Sequence, residues 1–192
     1  VVDKAIRAAY KNRGPAVVVI PNDFGYVQIP DVNYASTALL EKQTPKQTPT
    51  DEEVDQFLKM VREAKRPVFH VGSGIKDHQD LLKKVAEKLQ IPVTITGLAK
   101  GKVDDDWEGN LGTTNRAASK AADEAFATAD LVIALGTDFP FANLVYRTHD
   151  FKFVQIDNDE SQFGRHHFLD LGIWADSGKF LEKVLERSEA VR

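Results

Sequence analysis

The sequence contains no cysteine, which excludes disulfides, thiolate metal centres, iron–sulfur clusters and cysteine nucleophiles together. It also lacks a surplus of positive charge. Its 25 basic and 29 acidic residues leave a net charge of −4, and the sequence pI is near 5.8. A nucleic-acid binder needs basic stripes to neutralise phosphates, and no such stripe interleaved with aromatics is present, so nucleic acid is excluded as a partner. The longest apolar run, residues 16–21, falls far short of the ~18 residues of a membrane span. Residues 1–20 have no signal-peptide layout, which leads us to expect no membrane and a cytoplasmic chain. The missing initiator Met leads us to expect an excised piece. What is present suits a globular domain: 42% apolar and 28% charged residues over 192 positions. That length buries roughly 70% of the unfolded surface without any staple.

Residues 1–34 read as a helix followed by a buried-type strand. Ala5, Ile6, Ala8, Ala9 and Tyr10 have helical spacing, Asn12-Arg13-Gly14 stops the helix, and 15–21 is the strand. This stretch is expected to be the tail of a preceding domain. Residues 35–50 are a linker, polar and proline-punctuated over 42–50. The main domain is expected over 51–192. Thr50 and Glu53 form a capping box, and Val54, Phe57, Leu58 and Val61 give the helix behind it one apolar face.

From residue 66 strand and helix alternate. Apolar strands are expected at 67–71, 91–96, 131–135, 152–156 and 171–175, with helices at 78–90, 116–128 and 177–187. Apolar strands alternating with helices mean a Rossmann-like three-layer α/β/α domain with a mostly parallel sheet.

In such sheets the ligand lies beyond the carboxyl ends of the strands. The segment after each strand is therefore the place to look: Gly72-Ser73-Gly74-Ile75-Lys76, then Gly97-Leu98-Ala99-Lys100-Gly101 after Thr96, then Gly136-Thr137-Asp138-Phe139, then Asp157-Asn158-Asp159, then Asp176-Ser177. Gly112-Thr113-Thr114-Asn115-Arg116 stands before the Ala-rich helix. Glycines, hydroxyls and carboxylates at one edge are what a nucleotide needs: bare N–H groups for phosphate and acids for ribose. Gly72-x-Gly74 also suits a plain tight turn, and Asp157 a solvated strand end; both readings stay open. The third glycine of a dinucleotide turn is replaced by Asp77, and Thr94-Ile95-Thr96 carries no ribose acid, which argues against an ordinary nicotinamide domain.

Other groups offer less. His166 and His167 are adjacent and would point apart on a helix. His70 lies inside a strand and reads as a satisfied core group. Asp104-Asp105-Asp106 reads as a hydrated loop, and Asp157-Asn158-Asp159 lacks the glycine and distal Glu of a calcium loop. No serine has the Gly-x-Ser-x-Gly context. No catalytic residue and no metal site is expected in this stretch.

These segments in this order, with Ala99-Lys100-Gly101, Phe139-Pro140-Phe141-Ala142 and Gln155-Ile156-Asp157, resemble the central domain of thiamine-diphosphate-dependent pyruvate oxidases of the lactic-acid-bacterial type. Arg13-Gly14-Pro15-Ala16-Val17 and Ile20-Pro21-Asn22-Asp23 are similar to the last helix and strand of that family's pyrimidine-binding domain. The resemblance implies FAD. Gly72, Ser73 and Gly74 would meet the adenosine and phosphate region. Thr96, Gly97, Leu98, Thr113, Thr114 and Asn115 would line the ribityl and flavin side. Gly136, Thr137, Asp138 and Phe139 would flank the pyrophosphate, Asp157 and Asn158 the adenosine ribose, and Asp176 and Ser177 the adenine. Lys76 stands where the family commonly has Arg, and Gly97-Leu98 where Tyr-Pro can occur.

The resemblance further implies a homotetramer that binds thiamine diphosphate and magnesium in its other domains. It converts pyruvate, phosphate and oxygen to acetyl phosphate, carbon dioxide and hydrogen peroxide. The Gly-Asp-Gly cofactor motif and the catalytic Glu of those domains are absent here, so this stretch alone is expected to be inactive. The alternatives are the central domain of a related decarboxylase or carboligase with structural FAD, ADP or an empty site, an NAD-binding domain, and a subunit-interaction module. Gly74→Val is expected to abolish FAD binding and spare the fold.

Overall fold

The computed structural model describes residues 1–12, 14–30, 46–138 and 150–190. It divides into two compact units, Val1–Pro45 and Lys46–Arg192.

In the first unit, α1 (Val2–Asn12) buries none of its residues. The strand expected at 15–21 does not form. The backbone there belongs to no ladder, and Val17 and Val19 are each 85% exposed. An apolar run becomes a strand only when a neighbouring strand takes its N–H and C=O groups, and none is present among the described residues of this unit. A single 3₁₀ turn, Asn22–Tyr26, comes next.

The second unit opens with α2 (Asp51–Glu63). Its capping box is formed: Thr50 N donates to Glu53 Oε2 at 2.7 Å and Glu53 N to Thr50 Oγ1 at 3.2 Å. Then come β1 (Pro67–Val71), α3 (Gln79–Leu89), β2 (Val93–Ile95), β3 (Asn110–Thr113), α4 (Lys120–Thr128), β4 (Leu131–Leu135), β5 (Lys152–Asp157), β6 (Leu171–Trp174) and α5 (Ser177–Ala190). The six strands form one sheet ordered β3-β2-β1-β4-β5-β6, and every pairing is parallel.

The sheet is covered on both faces, as parallel sheets must be. On one side Val54, Phe57, Leu82, Val85, Phe180 and Leu181 from α2, α3 and α5 pack on the strands, with Phe57 and Phe180 edge-to-face at 5.0 Å. On the other, Phe126 of α4 packs with Val68, Val132, Ala134 and Phe153. Every residue of β4 is buried, which places it at the centre of both layers.

Two details depart from the sequence reading. β3 appears within what reads as a loop, because Asn110-Leu111-Gly112-Thr113 has no apolar alternation and Gly112 has φ +95°. The Ala-rich helix starts at Lys120 rather than 116. Ser119 caps it by accepting from Ala122 N at 3.1 Å, so 115–117 is a separate 3₁₀ turn.

Candidate functional site

The chain runs β1, β2, β3 in one direction across the sheet, then returns to lay β4, β5 and β6 in the other. The carboxyl ends of β1 and β4 are therefore neighbours from which the connections diverge, the place where a doubly wound sheet takes its ligand. Glycines bring the two connections together there. Gly72 N donates to Leu135 O and Gly74 N to Gly136 O, both at 2.9 Å. A β-carbon on Gly72 would lie 2.3 Å from Gly136 O, and one on Gly74 2.7 Å from Gly136 Cα. Gly136, at φ +60°, would press its own β-carbon to 2.8 Å from Gly74 Cα. The glycines are required because two backbones touch here. This corrects the expectation for Gly74→Val: the added side chain would collide with the β4 connection, so the fold would not be spared. The N–H groups of Gly72 and Gly74 are also already engaged.

Beyond the turn Ser73–Ile75, Lys76 adopts φ 51° and ψ −118°, a region costly for a side-chain-bearing residue. Its ammonium lies 3.8 Å from Asp176 Oδ2. Asp176 is 2% exposed and caps α5, accepting from Gly178 N at 3.1 Å and Lys179 N at 3.3 Å. Lys46 Nζ at 3.6 Å and His78 Nε2 at 3.8 Å complete its surroundings. Burial is the strongest single influence on this carboxyl and opposes its charge. Lys46, the Lys179 N–H, Lys76 and His78 together outweigh burial and hold it below the usual range. Asp176 N donates to Gln47 O at 2.8 Å, so the end of the expected linker is part of this unit.

At the end of β5, Asp157 is 9% exposed. Burial raises its carboxyl above the ordinary value, helped by the negative charges of Asp159 and Asp138 and opposed by the N–H groups of Asp159 and Asn158. Asp159 N donates to Asp157 Oδ1 at 3.0 Å, and Trp174 Nε1 donates to Asn158 O at 3.1 Å. Asp138, past the end of β4, faces Arg165 Nη1 at 3.0 Å and His166 Nε2 at 3.2 Å.

On the β2–β3 side Thr96 and Thr114 are buried and Leu98 is 82% exposed. Thr113 Oγ1 donates to Ala117 O at 2.5 Å. Thr114 Oγ1 lies 3.1 Å from His70 Nε2, and burial alone pushes the fully enclosed His70 down to about 3. His70 is thus the satisfied core group expected. His166 and His167 point apart, on bends rather than on the helix the expectation supposed: His166 faces Asp138, and His167 stacks on Phe151 at 4.4 Å between ring centroids.

Because all strands are parallel, Gly72, Ser73, Gly74, Lys76, Thr96, Gly97, Leu98, Thr113, Thr114, Asn115, Gly136, Thr137, Asp138, Asp157, Asn158, Asp176 and Ser177 all stand at the same edge of the sheet. Phe139 lies outside the described residues. The sequence reading missed the connection between β5 and β6. Gln155, inside buried β5, donates through Nε2 to Gln162 O at 3.0 Å and accepts from Gly164 N at 3.1 Å, folding Arg165 and His166 over Asp138. A lone amide within the run Phe-Val-Gln-Ile was the available signal.

The fold and its edge define a doubly wound α/β domain whose carboxyl edge joins touching glycine turns to the buried carboxyls of Asp157 and Asp176. The chain belongs to the thiamine pyrophosphate enzymes: residues 54–184 match the family's central domain. It is 35% identical over 186 residues, 96% of its length, to a pyruvate oxidase of Lactiplantibacillus plantarum, of which it covers 31%. It is 29% identical to an acetolactate synthase large subunit of Corynebacterium glutamicum, over 92% of this chain and 29% of that one. It is 26% identical to the acetolactate synthase isozyme 1 large subunit of Escherichia coli, over 99% of this chain and 34% of that one. The chain spans about a third of the length of these relatives.

Proposed function

We propose that residues 51–192 are the FAD-holding central domain of a pyruvate oxidase, that 35–50 lead into it from the domain before, with their last residues packed on it, and that 1–34 are the C-terminal remnant of that preceding domain. The observation that carries the FAD reading is Asp157. A desolvated carboxyl at the carboxyl end of β5, next to β4, can exchange hydrogen bonds with a ribose diol at little cost, because its solvation is already lost. The fit extends along the edge. Ser73, Thr137 and the Asp157–Asn158 turn stand at the carboxyl ends of β1, β4 and β5, and exposed Leu98 offers an apolar surface at the β2 end. Bound FAD would supply a two-electron acceptor. The chain's own residues bind and orient: Asp157 with Asn158 at the ribose, Gly136, Thr137, Asp138 and Phe139 along the pyrophosphate. Gly72, Ser73, Gly74 and Lys76 lie at the adenosine and phosphate region, with Asp176 and Ser177 at the adenine. Thr96, Gly97, Leu98, Thr113, Thr114 and Asn115 lie toward the flavin.

In this reading the whole protein is a cytoplasmic homotetramer. Thiamine diphosphate and magnesium sit in its other domains, and it turns pyruvate, phosphate and oxygen into acetyl phosphate, carbon dioxide and hydrogen peroxide. The 35% identity to a pyruvate oxidase supports this choice. The acetolactate synthase relatives favour a second reading, the same domain within a carboligase.

Thermal unfolding with FAD, ADP or NAD tests the site. A ligand at 100 times its dissociation constant adds about 2.7 kcal/mol, so FAD is expected to raise the melting temperature most. Stabilisation by NAD alone would overturn the flavin reading, and stabilisation by ADP alone would favour the second reading. Asp157→Asn is expected to weaken FAD roughly tenfold, the loss of one hydrogen bond to a charged group.

A further inference from the structure

The sheet has a second built feature at its opposite edge. Where β2 and β3 begin and α3 ends, a groove of about 380 Å³ opens, walled by Ile91, Pro92 and Trp107 and flanked by Glu87 and Glu108. Among the described residues that line it there are two carboxylates and no basic side chain.

Its aromatic wall is fixed. Trp107 Nε1 donates to Glu87 Oε1 at 3.1 Å, the ring packs so closely on Gly109 that a β-carbon there would lie 2.3 Å away, and Lys83 Nζ stands 5.8 Å from the ring centroid. The strand-entry loop holding it is also set. Asp106 N and Asn110 Nδ2 donate to the side-chain and main-chain oxygens of Asp104, each at 3.1 Å. Lys100 pairs with Asp105 at 2.7 Å. The groove therefore presents one large indole between the Glu87 and Glu108 carboxylates, with the Lys83 ammonium near the ring.

We infer that this groove docks an arginine side chain from a basic segment of another polypeptide. An aliphatic stem would lie on Pro92 and the indole, and the guanidinium would meet the ring and the Glu108 and Glu87 carboxylates. Guanidinium suits this lining better than ammonium because it stacks on aromatic faces and forks onto carboxylates. Nothing in the inference depends on the nucleotide reading, since the groove lies at the amino ends of the strands.

The sequence has two tryptophans, so Trp174→Phe leaves Trp107 as the sole indole reporter. Titrating that variant of the full chain with a capped pentapeptide carrying two arginines should change its emission saturably. The citrulline twin of the peptide, and the added substitution Glu108→Gln, should each weaken the response about tenfold, and added salt should weaken it further. An unsaturable response, or an equal one with citrulline, would overturn the inference. So would an emission change that tracks protein concentration without peptide, which would assign the groove to a second copy. Should Trp174→Phe fail to fold, the two indole N–H signals of the unsubstituted chain carry the same titration, and the peptide must move only one of them.

Discussion

At the scale of single residues, His70 makes the unit sensitive to acid well before its carboxyl groups titrate. The imidazole stays neutral down to about pH 3 in the fold, whereas an unfolded histidine takes its proton near pH 6.5. Stability from this residue is complete above that value. Between pH 6.5 and pH 3 it falls by about 1.4 kcal/mol per unit, because only the unfolded chain binds the proton. Urea unfolding at pH 6.5 and pH 5, above the carboxyl range, should show this loss in the natural chain and little of it in His70→Leu. Lys76 gives a second test. Lys76→Gly and Lys76→Ala both remove the ammonium beside Asp176, but only alanine must still hold a positive φ. The glycine variant should therefore be the more stable by about 1 kcal/mol in thermal unfolding.

At the scale of elements, the connection from β5 to β6 hangs on one amide. Gln155→Leu would leave Gly164 N and Gln162 O without the partner that Gln155 now supplies. This should cost about 1–3 kcal/mol on the usual scale for a buried group left unpaired. Limited proteolysis should cut the stretch 158–170 faster in the variant. How legible each element was in the sequence depends on what holds it. β4 could be read residue for residue because burial on both faces demands an unbroken apolar run, and α2 because Thr50 and Glu53 announce its start locally. β3 could not, since an edge strand of Asn, Leu, Gly and Thr is made by its partner β2 and carries no pattern of its own. The extended run at 15–21 shows the converse: its valines carry the pattern, and no partner strand is there among the described residues. In the candidate site the glycines and Asp157 were legible as positions, since they come directly after strands. Their physical role was not, because contact between Gly74 and Gly136 depends on β1 and β4 being neighbours, and adjacency across the sheet is not written in either loop.

At the scale of the whole molecule, the two units contribute unequally. None of the described residues of Val1–Pro45 is buried, so a chain reduced to residues 46–192 should melt within about two degrees of the full one, as expected when little buried surface is removed. Calorimetry of both lengths would check this, and a much lower melting point for the shorter chain would refute it. The larger unit has its own internal division. β1, β2 and β3 are consecutive in the chain, as are β4, β5 and β6, but β1 and β4 meet across a long interval. At the foot of their seam Arg66 N and Lys65 N both donate to the Asp130 carboxylate, at 2.8 and 2.7 Å, across 64 and 65 positions. At its head the Gly74 and Gly136 backbones touch. Each half can gather locally, while the seam must wait for a long loop to close, the slow step in folding a parallel sheet. The glycine contact is therefore a fastening made late. A bulky residue there would act first on kinetics, leaving two half-sheets with open edges searching for each other and prone to pairing with the half-sheets of other molecules.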